Sequence, residues 1–299
     1  MKLLQYRRAD RSAAIGMLDD DEVVPLRVPE GYSSDQAMVA YAMGDLPIER
    51  DDSQPREQRS DVELSTPLLR PPSIRDFMMF EGHVANSLKR WNREVPERWY
   101  AEPSFYFTSP HSLLASGMSL PMPTGGTELD YELEIAAVVG RDLVDATADE
   151  AAEAIAGFTV LNDFSLRDVQ SLERPLGLGP SKSKDFATAL GPVLVTVDEI
   201  PGTARRPEAA MEAWVNGERW SSGQSSTMHF DFGEAIAHAS AGSRVVAGDV
   251  FGSGTVTTGC VMELLALGDE RAHWLRAGDT IELRIEHIGD LTTTVASRD

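Results

Sequence analysis

Leu129-Asp130-Tyr131-Glu132-Leu133-Glu134-Ile135-Ala136 alternates apolar and acidic residues with a period of two. Leu129, Tyr131, Leu133 and Ile135 fall on one side of an extended chain; Asp130, Glu132 and Glu134 fall on the other. The stretch reads as a β-strand. Like charges stacked on one strand face repel, so the arrangement is costly unless a cation sits among them. Two readings are open from this segment alone: a solvated acidic edge, or a site for a divalent metal.

The remainder of the chain narrows the partners. It carries 27 Lys+Arg against 48 Asp+Glu, a net charge of -21. That balance argues against nucleic acid and anionic membrane surfaces. It leaves room for a small anionic substrate, because a bound cation or a few placed basic groups reverse the local field. Cys260 is the single cysteine, so no internal disulfide forms. The start MKLLQYRRAD lacks the apolar core of a secretion signal, and no run reaches the length of a membrane span. A cytoplasmic protein without a membrane partner is the expectation.

Outward from the acidic strand, the 299 residues divide at about residue 70. Residues 1–69 are expected to form a small β-rich domain and linker. Its strands are Lys2 to Tyr6, Ala13 to Leu18 and Val23 to Val28, with a short helix over 35–44. Residues 49–61 are almost free of apolar side chains and read as an exposed loop. Residues 70–299 form the larger domain. Ser73 to Asp76 resembles a capping box, so a helix is expected to start there and to bury Phe77, Phe80, Val84, Leu88 and Trp91. Beyond residue 100 short strands dominate: Phe105 to Thr108, Glu132 to Val139, Thr159 to Asn162, Pro192 to Thr196, Ala213 to Val215 and Thr280 to Glu286. Asn216-Gly217 signals a hairpin turn. Helices are expected only at Asp149 to Ala156 and Gly233 to Ser240. The fold class is α+β, predominantly β.

Further charged groups stand where elements end. Asp163 closes the run Gly157 to Asp163 and either caps the following turn or joins the acidic strand. Asp76 and His83 are seven residues apart, which on one helix returns them to within about 20° of each other. Lys184 sits in a polar loop behind Gly177, Gly179 and Pro180. Each alone has an ordinary structural explanation.

In order, these pieces resemble the fumarylacetoacetate hydrolase family over residues 70–299. The resemblance rests on Asp76-x6-His83, the Glu132-x-Glu134 strand, Asn162-Asp163-x-Ser165-x-Arg167-Asp168, Lys184-Asp185-Phe186, Gly252-Ser253-Gly254-Thr255 and Glu263. It implies a mixed β-roll that forms homodimers. It implies a metal site of Asp76, Glu132, Glu134 and Asp163, with His83 as catalytic base, Glu263 orienting it and Lys184 holding an oxyanion. Tyr106, Gln170 and Thr255 match substrate-pocket positions. Met78 stands where the fumarylacetoacetase branch has a tyrosine. The small N-terminal unit is similar to that of bacterial members.

An all-carboxylate site without cysteine favours a hard cation, Mg²⁺ first, with Ca²⁺ or Mn²⁺ as alternatives. The expected activity is metal-dependent hydrolysis of a carbon–carbon bond in an acylpyruvate or β-diketo acid, a small anionic keto acid, through water activated by His83 and Glu263. The alternatives are a 2-oxoacid decarboxylase of the oxaloacetate type and a hydratase or isomerase of 2-oxo acids in aromatic catabolism. His111, His229, His238, His273 and His287 read as structural or surface groups, and Cys260 as a small buried hydrophobe in a strand-like run. Arg167 and Asp168 are expected to pair locally.

Overall fold

The structure is a computed structural model and describes residues 1–8, 10–89 and 92–298. Strand Leu133–Val139 lies inside a large mixed sheet, between Ile155–Asp163 on one side and Val250–Gly252 on the other. All seven of its residues are buried. Its two faces meet different layers. Leu133, Ile135, Ala137 and Val139 belong to a core shared with Met211, Ala213, Ile281, Leu283 and Leu291 of a second, five-stranded sheet. Ala136 and Val138 face Ala37, Met38 and Tyr41 of helix Ser34–Met43. A strand covered on both faces loses its outward polar set, which is why the alternation stops at Glu134.

The acidic strand is broken where it was expected to be continuous. Leu129–Asp130 pairs with Ser165–Leu166 in a two-stranded ladder of its own. Tyr131 leaves the pairing, Glu132 makes a single bridge to Cys260, and the main ladder begins at Leu133. The chain therefore changes partners within two residues while keeping its side chains alternating. Ladder partners across the sheet, not the local pattern, set this break.

A second expectation is corrected at residues 73–89. Ile74–Phe77 is a strand, parallel to Val250–Gly252 and antiparallel to Phe105–Thr108, and all four of its residues are buried. The helix starts only at Glu81 and runs to Lys89. Ser73 caps nothing; its hydroxyl donates to Asp249 at 2.7 Å. Phe77, Phe80, Val84 and Leu88 do join the core, from the strand, the connection after it and the helix instead of from one helix. Trp91 lies outside the described residues.

Other boundaries move by a few residues. The third N-terminal strand is Glu22–Leu26, and the helix expected over 149–156 is Ala148–Glu153, because Ile155 already starts the next strand. Cys260 precedes a short helix, Val261–Ala266, instead of lying in a strand. Asn216 and Gly217 both have positive φ, 53° and 79°, and close the hairpin between Ala210–Val215 and Glu218–Gln224. Strand Lys2–Arg7 pairs with Thr188–Thr196, so the large sheet runs on from residues 74–296 into the N-terminal segment.

Candidate functional site

Four carboxylates from three chain segments meet at the end of the large sheet. Asp76 comes from Ile74–Phe77, Glu132 from the break in the acidic strand, Glu134 from Leu133–Val139 and Asp163 from the end of Ile155–Asp163. Each offers one oxygen, and these oxygens all lie within 4.8 Å of one another. All four residues are at most 4% exposed. The acidic face is thus not a solvated edge.

Two cations balance part of this charge. Arg167 donates to Asp130 at 2.7 Å and to Glu132 at 2.6 Å. Lys184 donates to Asp163 at 2.6 Å and also to Glu132. Burial alone would favour a neutral Glu132, but Arg167, Lys184 and His83 hold it well below the usual carboxylate range. The remaining three are pushed up. Burial, together with the Asp76 and Glu132 charges and against Lys184, raises Asp163 to about 8. Burial raises Asp76, and burial with the neighbouring Asp76 raises Glu134 well above its ordinary value. With only the protein's own cations present, the cluster carries more carboxylates than it can ionise.

The same residues are short of hydrogen-bond donors. Asp76 Oδ1, Glu134 Oε1 and Asp163 Oδ1 are buried and have no hydrogen-bond partner among the described residues. Such oxygens are costly to bury unless something binds them. An oxygen-only donor set with unsatisfied carboxylate oxygens fits a hard divalent cation. Space for it is kept by Gly252, where a Cβ would stand 2.5 Å from Asp76 Oδ1 and 2.8 Å from Glu134 Oε2.

His83 and Glu263 form a second group beside the first. His83 lies in the first turns of helix Glu81–Lys89, and Glu263 lies on Val261–Ala266. His83 Nδ1 is 2.7 Å from Glu263 Oε2. Glu263 Oε1 accepts from Asn86 Nδ2 at 3.1 Å and from the Thr258 N–H at 3.0 Å. Burial works against both charges in this pair. The carboxylate nevertheless raises the His83 pKa, and the imidazole with its companion donors lowers that of Glu263. Glu132 also acts on His83, so the two groups share one electrostatic environment. Asp76 and His83 reach this region from a strand and from the helix after it, not from one helix face.

The other residues singled out by sequence fall around this centre. Tyr106 donates its hydroxyl hydrogen to Asp163 Oδ2. Gln170 accepts from Arg167 Nη1 at 3.1 Å. Thr255 is buried in the loop that follows Val250–Gly252, whose Gly254 N–H donates to Glu134 at 3.1 Å. Met78 is 45% exposed. Arg167 does not pair with Asp168; Asp168 instead accepts from Thr127. That correction follows from the Leu129–Asp130 ladder, which carries Asp130 and Glu132 to the Arg167 side chain. Asp130 is held in place by Arg167 and by the Val261 and Met262 N–H groups.

Three residues escaped the sequence reading: Asn86, Gly252 as a spacer, and Arg167 as counter-ion to the strand. A signal existed for Arg167, since a face of three acids calls for a cation.

Comparison with known proteins gives the family. The sequence model of the Fumarylacetoacetate (FAA) hydrolase C-terminal family matches residues 74–296. The chain is 30% identical to Oxaloacetate tautomerase YisK of Bacillus subtilis over 246 residues, 79% of this chain and 74% of that protein. It is 29% identical to the 2,4-didehydro-3-deoxy-L-rhamnonate hydrolase of a Sphingomonas species over 213 residues, 70% of this chain and 68% of that one. Among the curated relatives the matched share of their own length runs as low as 64%. The solved fumarylacetoacetate hydrolase of Exiguobacterium antarcticum superposes with a TM-score of 0.78 at 25% identity, covering 100% of both chains. With the family region spanning the carboxylate cluster, Lys184 and the His83–Glu263 pair, this chain belongs to the fumarylacetoacetate hydrolase family.

Proposed function

We propose that the protein is a divalent-cation-dependent hydrolase that cleaves a carbon–carbon bond in an acylpyruvate or related β-diketo acid. The observation that carries this reading is the His83–Glu263 pair, 2.7 Å apart, placed within electrostatic reach of a carboxylate cluster with three unsatisfied oxygens. Asp76, Glu132, Glu134 and Asp163 would hold the cation, with Mg²⁺ as the first choice. When bound, it supplies Lewis-acid polarisation of the keto-acid end and neutralises charge that develops there.

The chain's own groups account for the proton movements. An ionised Glu263 accepts from Nδ1–H and leaves Nε2 of His83 as the base. Nε2 takes a proton from water, and the hydroxyl adds to the acyl carbonyl carbon. Lys184 has three donors, two of them engaged with Glu132 and Asp163; the third serves the developing alkoxide. Collapse of the alkoxide breaks the carbon–carbon bond, and its electron pair passes to the carbon next to the second carbonyl. His83 returns its proton there, giving one carboxylic acid and one 2-oxo acid. Arg167 keeps Glu132 ionised throughout.

The test is a panel of acylpyruvates with purified protein and Mg²⁺, following loss of β-diketone absorbance and identifying the products. Two carbon fragments, lost together with activity in His83→Ala, support the reading. An unchanged panel sinks it.

The 30% identity to an oxaloacetate tautomerase over 79% of the chain supports a second reading, proton transfer within one 2-oxo acid. His83 would then move a proton between carbon and oxygen without adding water. A single rearranged product distinguishes it from hydrolysis, and carbon dioxide would mark decarboxylation. Homodimer assembly and a cytoplasmic location go with the same proposal, supported by family membership. Among the described residues no helix is long and apolar enough to cross a membrane.

A further inference from the structure

Away from the carboxylate cluster, a cavity of about 660 Å³ opens where the N-terminal segment meets the family region. Its volume is that of a small-molecule site, which spans roughly 300–1,000 Å³. One wall comes from Arg7 and from residues 63–71, the other from residues 110–118. Leu64, Leu69, Pro71, Leu113 and Met118 supply the apolar half of its lining, and polar groups that include Ser65, Thr66 and His111 supply the rest. Its fixed charges are Arg7, Arg70 and Glu63, so the cavity is net cationic in a chain of net charge -21.

The two arginines are short of partners. Among the described residues the Arg7 guanidinium reaches only the Arg11 carbonyl, at 3.5 Å. Arg70 is tied down through its backbone N–H, to Asp35 at 2.8 Å, and its guanidinium has no carboxylate among the described residues. Glu63 stands directly opposite Arg7 in the strand pairing, yet the two form no ion pair. Arg56, Arg205, Arg244 and Arg271, by contrast, each pair with a carboxylate. Two guanidiniums without carboxylate partners among the described residues, set beside apolar side chains, match an anion with a hydrocarbon body.

The cavity is a separate place from the candidate active site but is joined to it. Strand Phe105–Thr108 carries Tyr106 to Asp163, and the same segment continues to His111 and Leu113 in the cavity wall. The Ser112 carbonyl accepts from the Thr188 N–H at 3.0 Å, and Thr188 lies directly across from Asp163.

We propose that this cavity is a second binding site, for a small carboxylate with an apolar body, in which Arg7 and Arg70 hold the carboxylate. The inference does not depend on which reaction the carboxylate cluster performs.

Calorimetric titration of the full chain, saturated with Mg²⁺, tests it with straight-chain carboxylates from butanoate to decanoate and with the matching amides. The expected result is saturable binding of one carboxylate per chain that tightens with chain length. Binding should be at least about tenfold weaker for the amide, for Arg7→Gln and for Arg70→Gln, the scale of one charge-assisted contact. Arg70→Lys should recover part of it, and Asp163→Asn, in the carboxylate cluster, should leave it unchanged. Thermal melting checks that each variant is folded. The proposal is overturned if no carboxylate binds saturably, if the amides bind equally, or if Asp163→Asn removes binding while Arg70→Gln does not. It is also overturned if Arg70→Gln converts a dimer to a monomer by light scattering, which would make the cavity an interface between copies.

Discussion

His83 Nδ1 and Glu263 Oε2 stand 2.7 Å apart although 180 residues separate them in the chain. Both are buried, and the carboxylate is satisfied on its other oxygen by Asn86 and the Thr258 N–H. A carboxylate so held fixes the ring's orientation and tautomer and favours its protonated form. The pKa of His83 is accordingly raised above 6.5 despite burial.

The sign of the pH dependence follows. A histidine acting as base is active when unprotonated, so kcat/KM should rise with pH along a limb centred above 6.5. Glu263→Gln removes the charge that raises the imidazole, so the limb should move to lower pH while kcat falls. His83→Ala should cost about 10²–10⁴-fold in turnover and leave cation binding in place. A limb that stays put in Glu263→Gln would separate the pair from the chemistry.

Gly252 supplies a steric test of the carboxylate cluster. The Cβ of Gly252→Ala would lie 2.5 Å from Asp76 Oδ1 and 2.8 Å from Glu134 Oε2. Both carboxylates are buried and must shift, at a cost of about 1–3 kcal/mol typical of overpacking. Mg²⁺ affinity measured by calorimetry should drop at least about tenfold, since those two residues are the ones displaced. Unaltered affinity would place the cation elsewhere.

Removal of the cation should expose the protonation of the cluster. Asp163 is raised from 3.8 to about 8, so a cation-free native state binds a proton there that the unfolded chain has already lost. Its stabilisation is complete below pH 3.8 and disappears as pH rises towards 8. The melting temperature of chelator-treated protein should therefore fall with pH over that window. A bound cation replaces the proton, so the stabilisation by Mg²⁺ should grow with pH and reach about 2.7 kcal/mol at a hundredfold excess over Kd. Differential scanning calorimetry with and without chelator at several pH values measures both trends. Parallel curves would contradict the assignment.

How far the residues foretold this arrangement differs from one to the next. Alternation over residues 129–136 made the acidic strand legible, and Asn216-Gly217 marked its hairpin, because both signals are local. The spacing of Asp76 and His83 misled, since a strand followed by a turn and a helix also spaces buried residues irregularly by three and four. Only pairing with Val250–Gly252 and Phe105–Thr108 decides for the strand. Arg167 looked like a partner for Asp168, whereas its ion pairs reach back 37 residues to Asp130 and 35 to Glu132. Contacts of that range depend on strand register, which one sequence does not display.

Glu173 links the stability of the Lys184 loop to acid pH. Its carboxylate accepts from the Ser181 and Lys182 N–H groups at 2.9 and 2.7 Å and from the Ser183 hydroxyl at 2.6 Å. Burial opposes ionisation, yet these donors hold the group at about 2 in place of 4.5. A depressed carboxylate stabilises the fold above its unfolded value, so this contribution should be complete above pH 4.5 and vanish as pH falls to about 2. Glu173→Gln should thus melt lower than wild type at neutral pH, and the two curves should converge in acid. The loop ends one residue before Lys184, whose ammonium is positioned against Glu132 and Asp163. Loosening it should also reduce kcat, by about tenfold for a displacement well under 1 Å. Lower turnover with an undiminished Mg²⁺ affinity would assign Glu173 to the placement of Lys184; equal melting curves at neutral pH would remove it from that role.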